Sequence, residues 1–166
     1  MITLSKLDII FSLWYNECMT RKELLAYTAG IIDGEGYLGL IPNSKSRNSF
    51  APKVKVASTD IRLVEFLRNS FGGHSDKMRI HKRPNQKPSA MWTLSNKINV
   101  VLFLKNLLPY LKIKDRQAKV IIEYCKTCSY KAMRQKNTKI EIAKRIGFYK
   151  QIRLLNFRGL PAATTE

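Results

Sequence analysis

The sequence predicts an α+β domain. Two β-hairpins form a one-sided antiparallel sheet, in the order α-β-β-α-β-β-α, with more helices after it. Three observations predict this. An apolar helical run ends abruptly in Asp33-Gly34-Glu35-Gly36. Two later segments alternate basic and apolar residues with a period of two. Helix-capping residues follow each hairpin, at Ser58-Thr59-Asp60 and Ser95-Asn96.

The elements follow in order. Leu7, Ile10, Phe11 and Trp14 give residues 5–18 an amphipathic helical spacing, so residues 1–20 form an N-terminal extension that packs on the domain. The next helix runs from about Lys22 to Ile32, and Gly34 and Gly36 are expected to take positive φ and turn the chain out of it. Tyr37–Ile41 is a strand. The Asn-, Ser- and Lys-rich residues 42–49 form a loop, and Lys53-Val54-Lys55-Val56-Ala57 returns with Lys on one face and Val on the other. A helix from Ile61 to Phe71 buries Leu63, Val64, Phe66 and Leu67 and stops at Gly72-Gly73. In the third strand, Lys77, Arg79, His81 and Arg83 share one face, with Met78 and Ile80 on the other. Pro84–Pro88 turns the chain and Met91–Leu94 returns. A helix through Val100, Val101, Phe103, Leu104 and Leu107 breaks at Pro109. Helices over about Asp115–Cys128 and Ile140–Leu155 complete a domain of residues 21–158, and 159–166 is a tail.

Composition narrows the function. With 166 residues, 45% of them hydrophobic, the chain is one domain with its own core. Its 30 Lys and Arg against 12 Asp and Glu give a net charge of +18, which is too large for a typical soluble enzyme acting on small molecules and points to a polyanion, most often nucleic acid. A ribosomal or membrane-surface protein carries similar charge. No acid lies between Glu123 and Glu141, whereas Lys126, Lys131, Arg134, Lys136 and Lys139 do, as in a phosphate-contacting flank. Three cysteines and no signal peptide argue for a reducing compartment, and Cys125-Lys126-Thr127-Cys128 lacks the second pair that a zinc site needs. His74 and His81 are too far apart for a metal pair, and His74 is expected at the surface. No run is long enough to span a membrane, and no transit peptide is evident.

The acid-Gly-acid-Gly ending carries the chemistry. Ala26, Ala29 and Gly30 allow two helix backbones to approach closely. Asp33 and Glu35 place two carboxylates at a helix C-terminus that the dipole already makes negative, a conflict that a bound cation resolves. If two such helices pack side by side, their Glu35 carboxylates meet and share hard ions such as Mg²⁺. The basic strand faces suit a DNA major groove, which admits a β-ribbon.

Thr28-Ala29-Gly30-Ile31-Ile32-Asp33-Gly34-Glu35-Gly36 closely resembles the LAGLIDADG motif of homing endonucleases, with Thr28 for the first Leu, Gly34 for the second Ala and Glu35 for the final Asp. Leu108–Ala118 is similar to the "LPYLKIKKKQA" segment of the small single-motif enzymes, and Leu154–Gly159 to the "LNxRG" near the family's C-terminus. The predicted element order is also that family's core. The resemblance implies Mg²⁺- or Mn²⁺-dependent cleavage of double-stranded DNA. Glu35 and the Gly34 carbonyl would be metal ligands, with Lys114 near the scissile phosphate. The family often has a water-positioning Gln at the end of the second strand. Ser58 is the best match here, with Thr59 or Asp60 as alternatives. A single motif implies a homodimer with Ala29, Gly30 and Asp33 at the interface and a near-palindromic target. Asp33 is expected to hold the helix end and turn rather than metal. Recognition would fall to Tyr37, Lys53, Lys55, Lys77, Arg79, His81, Arg83 and Thr93. An RNA-binding intron-splicing maturase, or a non-cleaving DNA-binding protein on the same fold, is the alternative. Abundant Lys, Asn and Ile suggest an AT-rich organellar or microbial genome, and the protein is expected to be intracellular, in a mitochondrion or chloroplast or in a microbial cytoplasm.

Overall fold

Helix α1 (Arg21–Glu35) opens the domain, in a computed structural model that describes residues 19–43, 46–78, 87–127 and 138–157. The predicted helix in residues 5–18, the basic residues Lys131, Arg134 and Lys136, Cys128 and the tail lie outside the described residues. Thr20 caps α1 through a capping box: the Glu23 amide donates to its hydroxyl, and its own amide donates to the Glu23 carboxylate at 2.7 Å.

α1 continues three residues past the predicted end. Neither Gly34 nor Gly36 takes a positive φ. Among the described residues only Gly72 and Gly73 do. Gly36 is extended, at φ −75° and ψ 145°, and its amide donates to the Ile32 carbonyl. It is required for a different reason than the one expected. A Cβ there would lie 2.6 Å from the Ile32 carbonyl oxygen and 2.8 Å from its Cα. Close backbone approach, not left-handed conformation, excludes a side chain.

The remaining elements are β1 (Gly36–Asn43), β2 (Ser46–Ser58), α2 (Ile61–Phe71), β3 (His74–Ser75), β4 (Ala90–Leu94), α3 (Lys97–Leu107), α4 (Asp115–Thr127) and α5 (Lys139–Leu155). Their order is the predicted α-β-β-α-β-β-α followed by two helices. The strands form one antiparallel sheet in the order β1-β2-β4-β3. Leu38, Leu40, Val54, Val56, Ala90, Trp92 and Leu94 line its buried face. They meet Ile32, Val64, Leu67, Val100, Leu104, Leu107 and Ile121 from the helices in a single core.

Two strand boundaries differ from expectation. Residues 42–43 and 46–49 are strand rather than loop, with Asn43 paired to Ser46. Phe50 anchors this hairpin: it is buried, its ring stacks on Tyr149 at 4.6 Å, and its carbonyl accepts the Tyr124 hydroxyl at 2.6 Å. Among the described residues the third strand is His74–Ser75; Lys77 and Met78 fall after it, and the rest of the expected Lys77–Arg83 segment lies outside the described residues. Gly72 and Gly73, at φ 71° and 90°, turn the chain directly out of α2, and the Trp92 indole donates to the Gly72 carbonyl at 2.7 Å. Pairing therefore starts earlier than the basic alternation suggests. Lys77 is exposed beyond the strand, and Arg79, His81 and Arg83 lie outside the described residues.

Candidate functional site

The last turn of α1 holds Asp33, Gly34 and Glu35 and contains no basic residue of its own. The missing positive charge comes from Lys114, immediately before α4. Its ammonium donates to the carbonyls of Ile32 at 2.7 Å and Asp33 at 2.8 Å. Both oxygens of the Asp33 carboxylate accept backbone amides from the same loop, Lys112 at 2.8 Å and Lys114 at 2.9 Å. Asp33 therefore faces into its own chain. Glu35, two residues on, is exposed, and no described residue hydrogen-bonds or ion-pairs with its side chain. The helix end thus brings together Glu35, the Gly34 backbone and Lys114, three of the residues singled out from sequence.

Two residues beyond Glu35 the open face of the sheet begins. Residues directly opposite one another in antiparallel strands point to the same side. Tyr37 pairs with Lys55, Lys55 with Thr93, and Thr93 with His74, so one row crosses all four strands. Lys53 stands on the same face opposite Gly39. The Tyr37 ring lies along its own strand, in the space that a side chain at Gly39 would fill. Burial raises the Tyr37 phenol above its ordinary range, Tyr149 adds to this and Arg153 opposes it. The group is therefore a neutral hydrogen-bonding phenol near neutral pH. The row combines a phenol, an ammonium, a hydroxyl and an imidazole, which suit both phosphate oxygens and base edges.

His74 was not expected on this face. Its ring nitrogen lies 3.2 Å from the Asp76 carboxylate. The Gly72-Gly73 pair was the available signal, because a strand starting straight after it makes His74 the first paired residue. Tyr149 and Arg153 of α5 border the Tyr37 end of the row, and no local pattern in the sequence pointed to that.

Other predicted residues are placed differently. Ala29 is fully buried inside the subunit and cannot lie on an outer helix face. The exposed side of α1 carries Ala26, Tyr27, Gly30 and Gly34, and a Cβ at Gly30 or Gly34 would meet nothing within 4 Å. Ser58 shares the strand face of Val54 and Val56, and its hydroxyl accepts the Asp60 amide at 3.0 Å in the turn into α2. Asp60 caps α2 and binds the Arg62 guanidinium at 2.6 Å, which holds its carboxyl below the usual range. No hydrogen bond or ion pair among the described residues joins Ser58 or Asp60 to Glu35.

Among the described residues no group of three or more His, Cys, Asp or Glu side chains is placed to hold a metal. One carboxylate beside an exposed helix terminus is a partial donor set. It fits Mg²⁺, which commonly takes one or two carboxylates and completes its octahedron with water and substrate phosphates.

Neither a protein-family model nor a curated protein matches the chain. Solved structures do. The homing endonuclease I-CvuI, in complex with its target in the presence of Ca, superposes with a TM-score of 0.62 at 19% identity, over 82% of this chain and 83% of that one. The archaeal intron-encoded homing endonuclease I-Vdi141I, complexed with DNA, gives 0.63 at 13% identity, over 84% and 88%. The LAGLIDADG meganuclease I-AabMI, bound to uncleaved DNA, gives 0.57 at 16% identity, over 75% of this chain and 43% of that one. The chain has the LAGLIDADG homing endonuclease fold.

Proposed function

We propose that the protein is a site-specific DNA endonuclease. It acts as a homodimer and cuts both strands of a long, near-palindromic duplex by Mg²⁺- or Mn²⁺-dependent phosphodiester hydrolysis. The observation that carries this reading is the placement of an exposed Glu35 and of the Lys114 ammonium, held on the Ile32 and Asp33 carbonyls, at the same end of α1, where the basic open sheet face begins. The fold supports it, as do the DNA targets and the calcium named for the similar structures.

Each residue has a role in this reading. Glu35 and the Gly34 carbonyl hold the ion, and a second copy of the chain supplies the second Glu35. A bound divalent ion polarises a phosphate and lowers the pKa of a coordinated water. Lys114 places a fixed positive charge where the phosphate gains negative charge. Tyr37, Lys53, Lys55, Thr93 and His74 engage the duplex across the sheet. Ala26, Gly30 and Gly34 let α1 approach its symmetry mate.

The test is a cleavage selection on a randomised duplex library with Mg²⁺, with Ca²⁺ and with chelator, for wild type and Glu35→Gln. The expected result is one near-palindromic site, cut only with Mg²⁺ and intact Glu35, while the variant still binds it. An unchanged cleavage rate in Glu35→Gln refutes the ligand assignment. Tight binding without any cut product refutes the nuclease and directs attention to intron RNA.

A further inference from the structure

Two helix ends exchange charges at this site. α1 offers its negative C-terminus and the carboxylate of Asp33. α4 offers its positive N-terminus and the ammonium of Lys114, whose own carbonyl accepts the Ala118 amide at 3.0 Å and so begins α4. The carboxylate binds the amides leading into α4, and the ammonium binds the carbonyls ending α1. Lys114 is thereby held at both ends of a side chain that otherwise has four freely rotating bonds. Its amide is fixed by Asp33 and its ammonium by the backbone of Ile32 and Asp33.

We infer that Asp33 is a positioning residue for Lys114: by fixing the backbone of residues 112–114, its carboxylate sets where the Lys114 ammonium stands relative to Glu35. The inference rests on the nuclease reading above. It assigns Asp33 neither to metal nor to the subunit interface, because both of its oxygens are engaged within the chain. Catalysis by a fixed charge depends on that charge being in place before the reaction, so a loosened Lys114 slows the chemical step and leaves DNA binding alone. Asp33→Asn tests this directly. One carboxylate oxygen becomes an NH₂ donor facing an amide donor, and one of the two anchors is lost.

The experiment is a double-mutant cycle on the full chain, using the duplex recovered by the selection. Asp33→Asn, Lys114→Met and the double variant are compared for single-turnover cleavage in Mg²⁺ and for binding of the same duplex in Ca²⁺. The expected outcome is a loss of about 30-fold or more in cleavage for Asp33→Asn, with binding held within about threefold. The double variant is expected to be no slower than Lys114→Met alone, because removing the held group removes the need to hold it. Asp33→Glu, which moves the carboxylate by one methylene, repeats the cycle should the Asn variant not fold. Losses that multiply, or wild-type cleavage by Asp33→Asn, overturn the inference while the nuclease stands. A wild-type protein that cuts nothing with any ion overturns both.

Discussion

Gly34 and Gly36 look interchangeable in the motif, yet their surroundings are opposite. A Cβ at Gly36 would meet the Ile32 backbone, including the carbonyl that accepts both the Gly36 amide and the Lys114 ammonium. Backbone cannot step aside as a side-chain tip can. Gly36→Ala is therefore expected to destabilise by on the order of 3 kcal/mol, seen as a lower urea midpoint with unchanged slope. A Cβ at Gly34 meets nothing within the chain. Gly34→Ala removes the flexibility penalty of a helical glycine and, within the single subunit at concentrations that keep it monomeric, is expected to be neutral or to stabilise by up to about 1 kcal/mol. If the two substitutions behave alike, the close-approach explanation of Gly36 is wrong. The same contrast limits what the sequence could show here. The motif singled out Glu35 as a candidate, and the Leu108–Ala118 segment singled out Lys114. The bonds between the two segments span about 80 residues of chain and leave no local trace. Asp33 was expected to hold the helix end and turn, but its partners, the Lys112 and Lys114 amides, were illegible for that reason.

The helix starts were the most legible elements, because caps are local chemistry. Asp60 and Asn96 cap α2 and α3 where the sequence places them, and each side chain accepts amides two or three residues on. The strand boundaries were the least legible. The pairing of β1 with β2 is held near Pro42 by Phe50 contacts with Tyr124 and Tyr149, and β3 is placed by the Trp92 bond to Gly72. Alternating polarity cannot register contacts so distant in sequence. The caps also set a pH response. Thr20 lowers the carboxyl of Glu23, Arg62 that of Asp60, and Lys119 that of Asp115. Each folded-state pKa lies below its unfolded value, so each contribution is complete above the ordinary carboxylate range and is lost as pH falls through the depressed values. The N-terminal turns of α1, α2 and α4 should therefore fray in acid before the core does. Amide hydrogen exchange followed downward from neutral pH checks this, and turns that lose protection only together with the buried strands contradict it.

At the scale of the whole molecule, charge and shape make separate demands. A net charge of +18 gives attraction to any polyanion, so affinity for duplex DNA must fall steeply with salt. Lys53→Gln and Lys55→Gln should each reduce the slope of log K against log salt by roughly 0.9 if the open face contacts phosphates. Unchanged slopes place the duplex elsewhere. The proposed dimer puts its seam on α1, whose outer side carries Ala26, Gly30 and Gly34 among exposed residues. Glycine in a helix costs about 1 kcal/mol relative to alanine, so its use on an exposed face is unfavourable for an isolated subunit. Two helices packed backbone to backbone reverse that preference, because any side chain at the crossing holds them apart. Gly30→Leu separates the two situations. Within one chain the new Cβ meets nothing, and leucine is the better helix former, so the subunit should fold at least as well as wild type. Across a two-fold seam the same side chain is present twice and faces its own copy. Sedimentation equilibrium should then report a dimer for wild type and a monomer for Gly30→Leu at equal concentration, with intact circular dichroism. Target affinity should drop toward that of a half-site, because the second sheet no longer binds as part of the same molecule. A Gly30→Leu protein that stays dimeric with wild-type affinity moves the seam away from α1, and with it the idea that two Glu35 carboxylates meet at one end of a helix pair.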